Sequence, residues 1–169
     1  GELSAGLARK VGETGRVMVS DIKGDMVNEG RDRLLDQGLV GKLDYVSASA
    51  EALPVQDRSF DRITIAFGLR NVTHSPRALA AMQRTLRPGG QVVILEFSTL
   101  YLKALQPIYD LYSFQVLPRM GRLVANDAES YRYLAESIRM HPDQDTLCEM
   151  MIEAGFEDCD YINLSGGLV

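Results

Sequence analysis

The sequence predicts an α/β fold, a mostly parallel sheet with helices on both faces. Three observations carry this. Short apolar runs of strand length recur along the first hundred residues. Stretches with apolar residues at helical spacing separate most of them, as crossover connections between parallel strands require. The run Val92-Val93-Ile94-Leu95 is continuously apolar, the pattern of a strand covered on both faces.

In order along the chain, Leu3, Leu7, Ala8 and Val11 have helical spacing, and Gly12 ends that segment. Val17-Met18-Val19 is a buried strand that finishes at Ser20-Asp21. Met26, Val27, Gly30, Leu34 and Leu35 form a helix stripe ending near Gly38. Residues 43–46 make a second strand, and 47–57 a loop containing Pro54. Residues 60–67 make a third, Ile-rich strand. Ser75-Pro76 opens a helix with proline in the first turn, carrying Leu79, Met82 and Leu86. Pro88-Gly89-Gly90 reads as a turn, and 91–97 as the fourth strand. Beyond residue 100 the pattern changes. Residues 101–124 are apolar and aromatic, broken by Pro107, Pro118 and Gly121. Two helices are then predicted, 127–140 with Asp127 as N-cap and 143–154 ended by Gly155, followed by an antiparallel closing strand over 156–164. The expectation is one domain over 1–169 with a lid-like insertion at about 100–142.

Composition narrows the function. The 169 residues fit one domain, and 46% are hydrophobic, enough to build a core. No run of eighteen apolar residues exists to span a bilayer. The formal charge of −5 argues against a nucleic-acid partner. Cys148 and Cys159 fit a reducing cytosol, which favours thiols, with a single disulfide between the two as the alternative. There is no CxxC and no Cys/His cluster, so no metal site is expected.

In an open parallel sheet, ligands bind outside the carboxyl ends of the strands. Four such ends are readable: Ser20-Asp21, 47–51, 66–71 and Glu96-Phe97-Ser98. A strand-end acid can accept hydrogen bonds from both hydroxyls of a ribose, and Asp21 stands there. On position alone Asp21 serves equally as a cap for the next helix, and a ribose would suit a nicotinamide or an S-adenosylmethionine enzyme alike. Gly12-Glu13-Thr14-Gly15 follows a helix and precedes a strand, the wrong order for a phosphate cradle, so it is an ordinary loop.

Ala50-Glu51-Ala52-Leu53-Pro54, then Asp57-Arg58-Ser59-Phe60-Asp61, then Leu86-Arg87-Pro88-Gly89-Gly90 resemble, in this order, the class I S-adenosylmethionine-dependent methyltransferases. The match narrows at Phe67-Gly68-Leu69-Arg70-Asn71-Val72, Leu95-Glu96-Phe97-Ser98, Tyr112-Ser113-Phe114 and the stretch 126–142. These are similar to the ubiquinone/menaquinone biosynthesis C-methyltransferase family over nearly the whole chain.

The resemblance implies a Rossmann-like class I methyltransferase sheet, with S-adenosylmethionine as cofactor and a polyprenylated benzoquinol or demethylmenaquinol as substrate. It implies cofactor contacts from Gly1 (as the last glycine of a nucleotide-binding turn), Asp21 on the ribose, Ile22 and Met26 beside the adenine, Ser49, Ala50 and Glu51 at the adenine edge, and Ala66 near the methionine part. For catalysis it points to Arg70, Asn71 and His141. Arg70 would favour the phenolate form of the quinol ring, and the alternative for Arg70 is a structural salt bridge. His141 would relay a proton, or else cap a loop. Tyr109, Tyr112, Phe114, Tyr131 and Arg139 would shape the quinol and tail pocket, or simply pack. The family's first strand and most of its glycine motif are expected upstream of Gly1, and the end of its terminal hairpin beyond Val169. The function expected is therefore the parent enzyme's, with this fragment itself inactive. A cytoplasmic setting is expected, with peripheral contact at a bacterial inner membrane or on the matrix side of a mitochondrion, and with a homodimer or a quinone-biosynthesis complex as assembly. Lys103, Arg119 and Arg122 are few for electrostatic membrane attachment. Competing readings are a methyltransferase of another small molecule, a nicotinamide-dependent oxidoreductase, and a non-catalytic partner subunit.

Overall fold

The computed structural model describes residues 2–39, 41–98 and 128–169. They gather into two compact units, Gly1–Val55 and Gln56–Val169.

The first unit contains α1 (Glu2–Lys10), β1 (Val17–Asp21), α2 (Gly24–Asp36) and β2 (Leu43–Ser47). Both helices bury one stripe: Ala5 and Ala8 on α1, Val27 and Leu34 on α2. Leu34 is fully buried, and covering a leucine side chain contributes roughly 1.5–3 kcal/mol. Residue 15 must be glycine for steric reasons, because a Cβ there would lie 2.1 Å from the Val11 carbonyl oxygen. β1 and β2 pair in parallel, from Val17 opposite Leu43 to Asp21 opposite Ser47. The Arg16 guanidinium grips Asp44 with two bonds of 2.9 and 2.7 Å. That hydrogen-bonded contact holds the Asp44 carboxyl below the usual carboxylate range. Both side chains are exposed, so the pair adds little to stability.

The second unit contains β3 (Phe60–Ala66), a 3-10 turn (Leu69–Asn71), α3 (Ser75–Thr85), β4 (Leu86–Leu95), α4 (Ala128–Met140), α5 (Gln144–Glu153) and a terminal 3-10 turn (Ser165–Gly167). α3 buries Ala78, Leu79, Ala81, Met82 and Thr85. The Thr85 hydroxyl donates to the Met82 carbonyl at 2.9 Å, so burial leaves no unpaired group there. Asp143 caps α5 by accepting from the Thr146 amide at 2.9 Å. Gly155, at φ +100°, ends it.

β3 and β4 are also parallel, but with a break. Phe60 faces Leu86 and Arg62 faces Gln91, so Asp61 stands opposite Arg87, Pro88, Gly89 and Gly90. The segment expected as a free turn is instead a bulge inside a strand that starts at Leu86. Arg87 closes it on the Asp61 carboxylate at 2.7 and 2.8 Å. Gly89 supplies a φ of +76°, and a Cβ on Gly90 would stand 2.8 Å from the Arg87 carbonyl oxygen.

Two expectations are corrected here. Residues 156–164 form no strand, and Tyr161, Ile162 and Leu164 are exposed. The apolar residues Phe156, Tyr161, Ile162 and Leu164 suit a strand, yet a strand forms only where an edge accepts it. The chain instead returns at Leu168, whose carbonyl accepts from the Ser98 amide just beyond β4, at 3.0 Å. Cys148 and Cys159 are not thiols but a disulfide. α5 and the segment after it bring their Cα atoms to 5.6 Å, within bridging range. Of the lid-like insertion, only α4 and the residues just after it are described; residues 99–127 lie outside. Among the described residues, no helix is long and apolar enough to cross a membrane.

Candidate active site

The parallel register sets each unit's candidate residues at strand ends. In the first unit β1 and β2 finish side by side, and the Asp21 carbonyl accepts from the Ala48 amide at 3.0 Å. The Asp21 carboxylate uses Oδ1 to accept from the Lys23 amide at 2.9 Å, a turn that leads the chain into α2. Asp21 is thus tied to the helix entry, although the N-cap position itself is Lys23. Ile22 and Met26 are 68% and 52% exposed, leaving an apolar shelf beside this carboxylate. Ser47 Oγ donates to the Ile22 carbonyl at 3.3 Å and steadies the loop. Ser49 Oγ accepts from the Glu51 amide at 3.2 Å, and the Ser49 carbonyl from the Ala52 amide at 3.1 Å. That tight turn leaves Ala50 and Glu51 half-buried. An exposed strand-end acid beside exposed aliphatic side chains fits a ribose with an adenine next to it.

In the second unit Ala66 ends β3, exposed, and the next residue, Phe67, adopts a φ of +53°. A bulky residue is strained in that region. The twist presents the Phe67 carbonyl to two donors, Arg70 Nη1 at 2.6 Å and Asn71 Nδ2 at 3.4 Å. Arg70 Nη1 also donates to Glu96 Oε1 at 2.6 Å, and the two side chains are only 11% and 4% exposed. The salt bridge left open for Arg70 therefore exists. Phe97 lies under the guanidinium at 5.3 Å and stacks obliquely on Phe67 at 4.7 Å. Asn71 Oδ1 accepts from the Tyr133 hydroxyl at 3.0 Å, which ties α4 to this turn.

His141 is buried at the end of α4, 8% exposed. Its Nε2 has no hydrogen-bond partner among the described residues, nor has Arg70 Nε. Burial holds its pKa below the ordinary 6.5; Glu96 opposes that and Arg70 adds to it. Below 6.5 the unfolded chain takes up a proton that the folded chain resists. Stability from this residue is then full above 6.5 and lost as pH falls toward the lower folded pKa. The melting temperature is expected to drop on mild acidification from pH 7, and His141→Gln to flatten that slope. An unchanged slope in the variant would assign the acid sensitivity to other groups.

Arg139 is exposed on α4, and Tyr131 belongs to α4 without a described side chain. Gly1, Tyr109, Tyr112 and Phe114 lie outside the described residues. Sequence reasoning missed Glu96, Phe97 and Tyr133 as members of the cluster. For Glu96 a signal existed: an acid directly after a continuous apolar strand needs a buried partner. No group of acids, histidines and cysteines among the described residues could hold a metal.

The sequence model of the ubiE/COQ5 methyltransferase family matches residues 1–169. The chain belongs to this family. A curated relative from Escherichia fergusonii, ubiquinone/menaquinone biosynthesis C-methyltransferase UbiE, is 57% identical over 169 residues, covering 100% of this chain and 67% of the relative. The protein of the same name from Escherichia coli K12 is 58% identical with the same coverage. Among solved structures, a SAM dependent methyltransferase from Aquifex aeolicus aligns at TM-score 0.53 and 23% identity, over 75% of this chain and 67% of that one. A protein from Bacillus halodurans C-125 aligns at TM-score 0.61 and 20% identity, over 84% and 53%. These likenesses speak for the fold: the parallel pairs of this ubiE/COQ5 family member are those of a class I methyltransferase sheet.

Proposed function

We propose that the protein transfers a methyl group from S-adenosylmethionine to a ring carbon of a polyprenylated benzoquinol or demethylmenaquinol. The observation that carries this is 57% identity over all 169 residues to a relative named as a ubiquinone/menaquinone biosynthesis C-methyltransferase. Geometry supports it at both strand-end sites.

Asp21 would hold the ribose hydroxyls, with Ile22 and Met26 against the adenine and the Ser49–Glu51 turn at its edge; Ala66 would pass the methionine part. Bound S-adenosylmethionine supplies an electrophilic methyl group on a sulfonium. The quinol ring must meet it as an electron-rich carbon, which means stabilising negative charge on a ring oxygen. Arg70 supplies a permanently charged guanidinium at the end of β3. A guanidinium offers donors and no acceptor, so its role is electrostatic. Asn71, oriented by Tyr133, can hydrogen-bond the ring oxygen. His141, neutral by burial, can take a proton. The apolar residues 100–124 would receive the prenyl tail at a membrane surface.

The test is incubation of the full-length parent enzyme with S-adenosylmethionine and a short-chain demethylated quinol, read by mass spectrometry. The expected result is gain of one methyl on a ring carbon. Methylation at oxygen would overturn the C-methyltransferase reading, and absence of any transfer would overturn the proposal.

A further inference from the structure

Arg70 is clamped from three directions. Glu96 and the Phe67 carbonyl both hold Nη1, at 2.6 Å each, and the Phe97 ring lies along one face at 5.3 Å. Glu96 does more than neutralise charge. Its Oε1 also accepts from the Phe97 amide at 3.0 Å, and its Oε2 from the Arg70 amide at 3.3 Å. The carboxylate thus binds side chain and backbone of residue 70 together and locks itself to its own strand end. Such an arrangement is a poor device for stability alone. A buried ion pair is often no better than apolar packing of the same volume, and here Arg70 Nε is left buried without a partner among the described residues. It is an effective device for orientation, since a guanidinium so gripped keeps one pose.

We infer that Glu96 is a positioning residue for methyl transfer, holding the Arg70 guanidinium at the angle from which it stabilises the ionised ring oxygen. The inference rests on the C-methyltransferase reading above. Its catalytic effect runs through Arg70, so substitutions at the two sites must not add. Among the described residues, Glu96 couples to Arg70 and to His141.

The experiment compares wild type, Glu96→Gln, Glu96→Asp, Arg70→Ala and the double variant Glu96→Gln/Arg70→Ala. Readouts are turnover and KM for a short-chain quinol, cofactor affinity and thermal melting. Glu96→Gln keeps the shape and one acceptor but loses the charge. It is expected to lower turnover by about tenfold or more, with KM and cofactor affinity within about twofold. Glu96→Asp should recover part of that loss. In the Arg70→Ala background, Glu96→Gln should change turnover by less than about twofold. Full additivity in the double variant would overturn the inference. So would a Glu96→Gln protein that melts lower yet turns over normally while folded. If Glu96→Gln does not fold, Glu96→Asp decides, because a folded Asp variant with wild-type turnover also overturns it. Lack of methyl transfer by the wild type would sink the functional reading itself, a result seen before any substitution is made.

Discussion

Arg70→Ala is expected to lower quinol turnover by a hundredfold or more, about 3 kcal/mol of transition-state stabilisation, with cofactor affinity nearly intact. Arg70→Lys should fall between wild type and Ala, because it keeps the charge but loses the planar fork. The structure adds a second consequence. Removing the guanidinium strands the Glu96 carboxylate, 4% exposed, without its cation. Breaking a buried pair on one side costs about 3–5 kcal/mol of stability, so Arg70→Ala should also melt lower, and Arg70→Lys much less so. Turnover of a soluble quinol analogue, cofactor titration and melting, measured together, separate the two effects. Normal turnover in Arg70→Ala would remove the ring-stabilising role. A large loss of stability with no cofactor binding would leave Arg70 as a structural partner of Glu96 alone, and ring activation would pass to Asn71 or His141.

Asp21→Ala is expected to weaken S-adenosylmethionine binding at least tenfold. Two charge-assisted hydrogen bonds to the ribose would be lost, each worth about 1.5–3 kcal/mol. Asp21 also holds the Lys23 amide at the entry to α2, so the alanine variant alone mixes ligand and turn effects. Asp21→Asn keeps an acceptor for that amide and removes the charge. It should melt like wild type and still bind more weakly by calorimetric titration. An unchanged dissociation constant in both variants would leave Asp21 as a turn-forming residue only.

Much of the fold was legible. Strands at 17–21, 43–47 and 60–66 follow from short apolar runs, and the helix at 75–85 from Ser75-Pro76 and its Leu79/Met82 face. The helix over 143–154 and its stop at Gly155 were legible too, while the capping role of Asp143 came from the structure. Each of these depends on residues within a turn or two of one another. The Arg70–Glu96 pair was not legible, because its members are 26 residues apart. Only the parallel pairing of β3 with β4 sets the two strand ends side by side. Pro88-Gly89-Gly90 reads from the sequence as a turn before the strand, and the structure makes it a bend within β4. That the bend lies inside the strand depends on Leu86 finding Phe60 across the ladder.

The sequence by itself determined the α/β class, the family and the strand-end positions of Asp21, Arg70 and Asn71, because periodicity, turn chemistry and long motifs are properties of neighbouring residues. Tertiary structure alone decided that Glu96 clamps Arg70, that Phe67 is strained to offer its carbonyl, that Cys148 reaches Cys159, and that residues 156–164 join no sheet. Each of those outcomes turns on which segment becomes whose neighbour. Pairing between distant segments is selected by the summed burial and hydrogen bonding of the folded chain, and no local pattern records it.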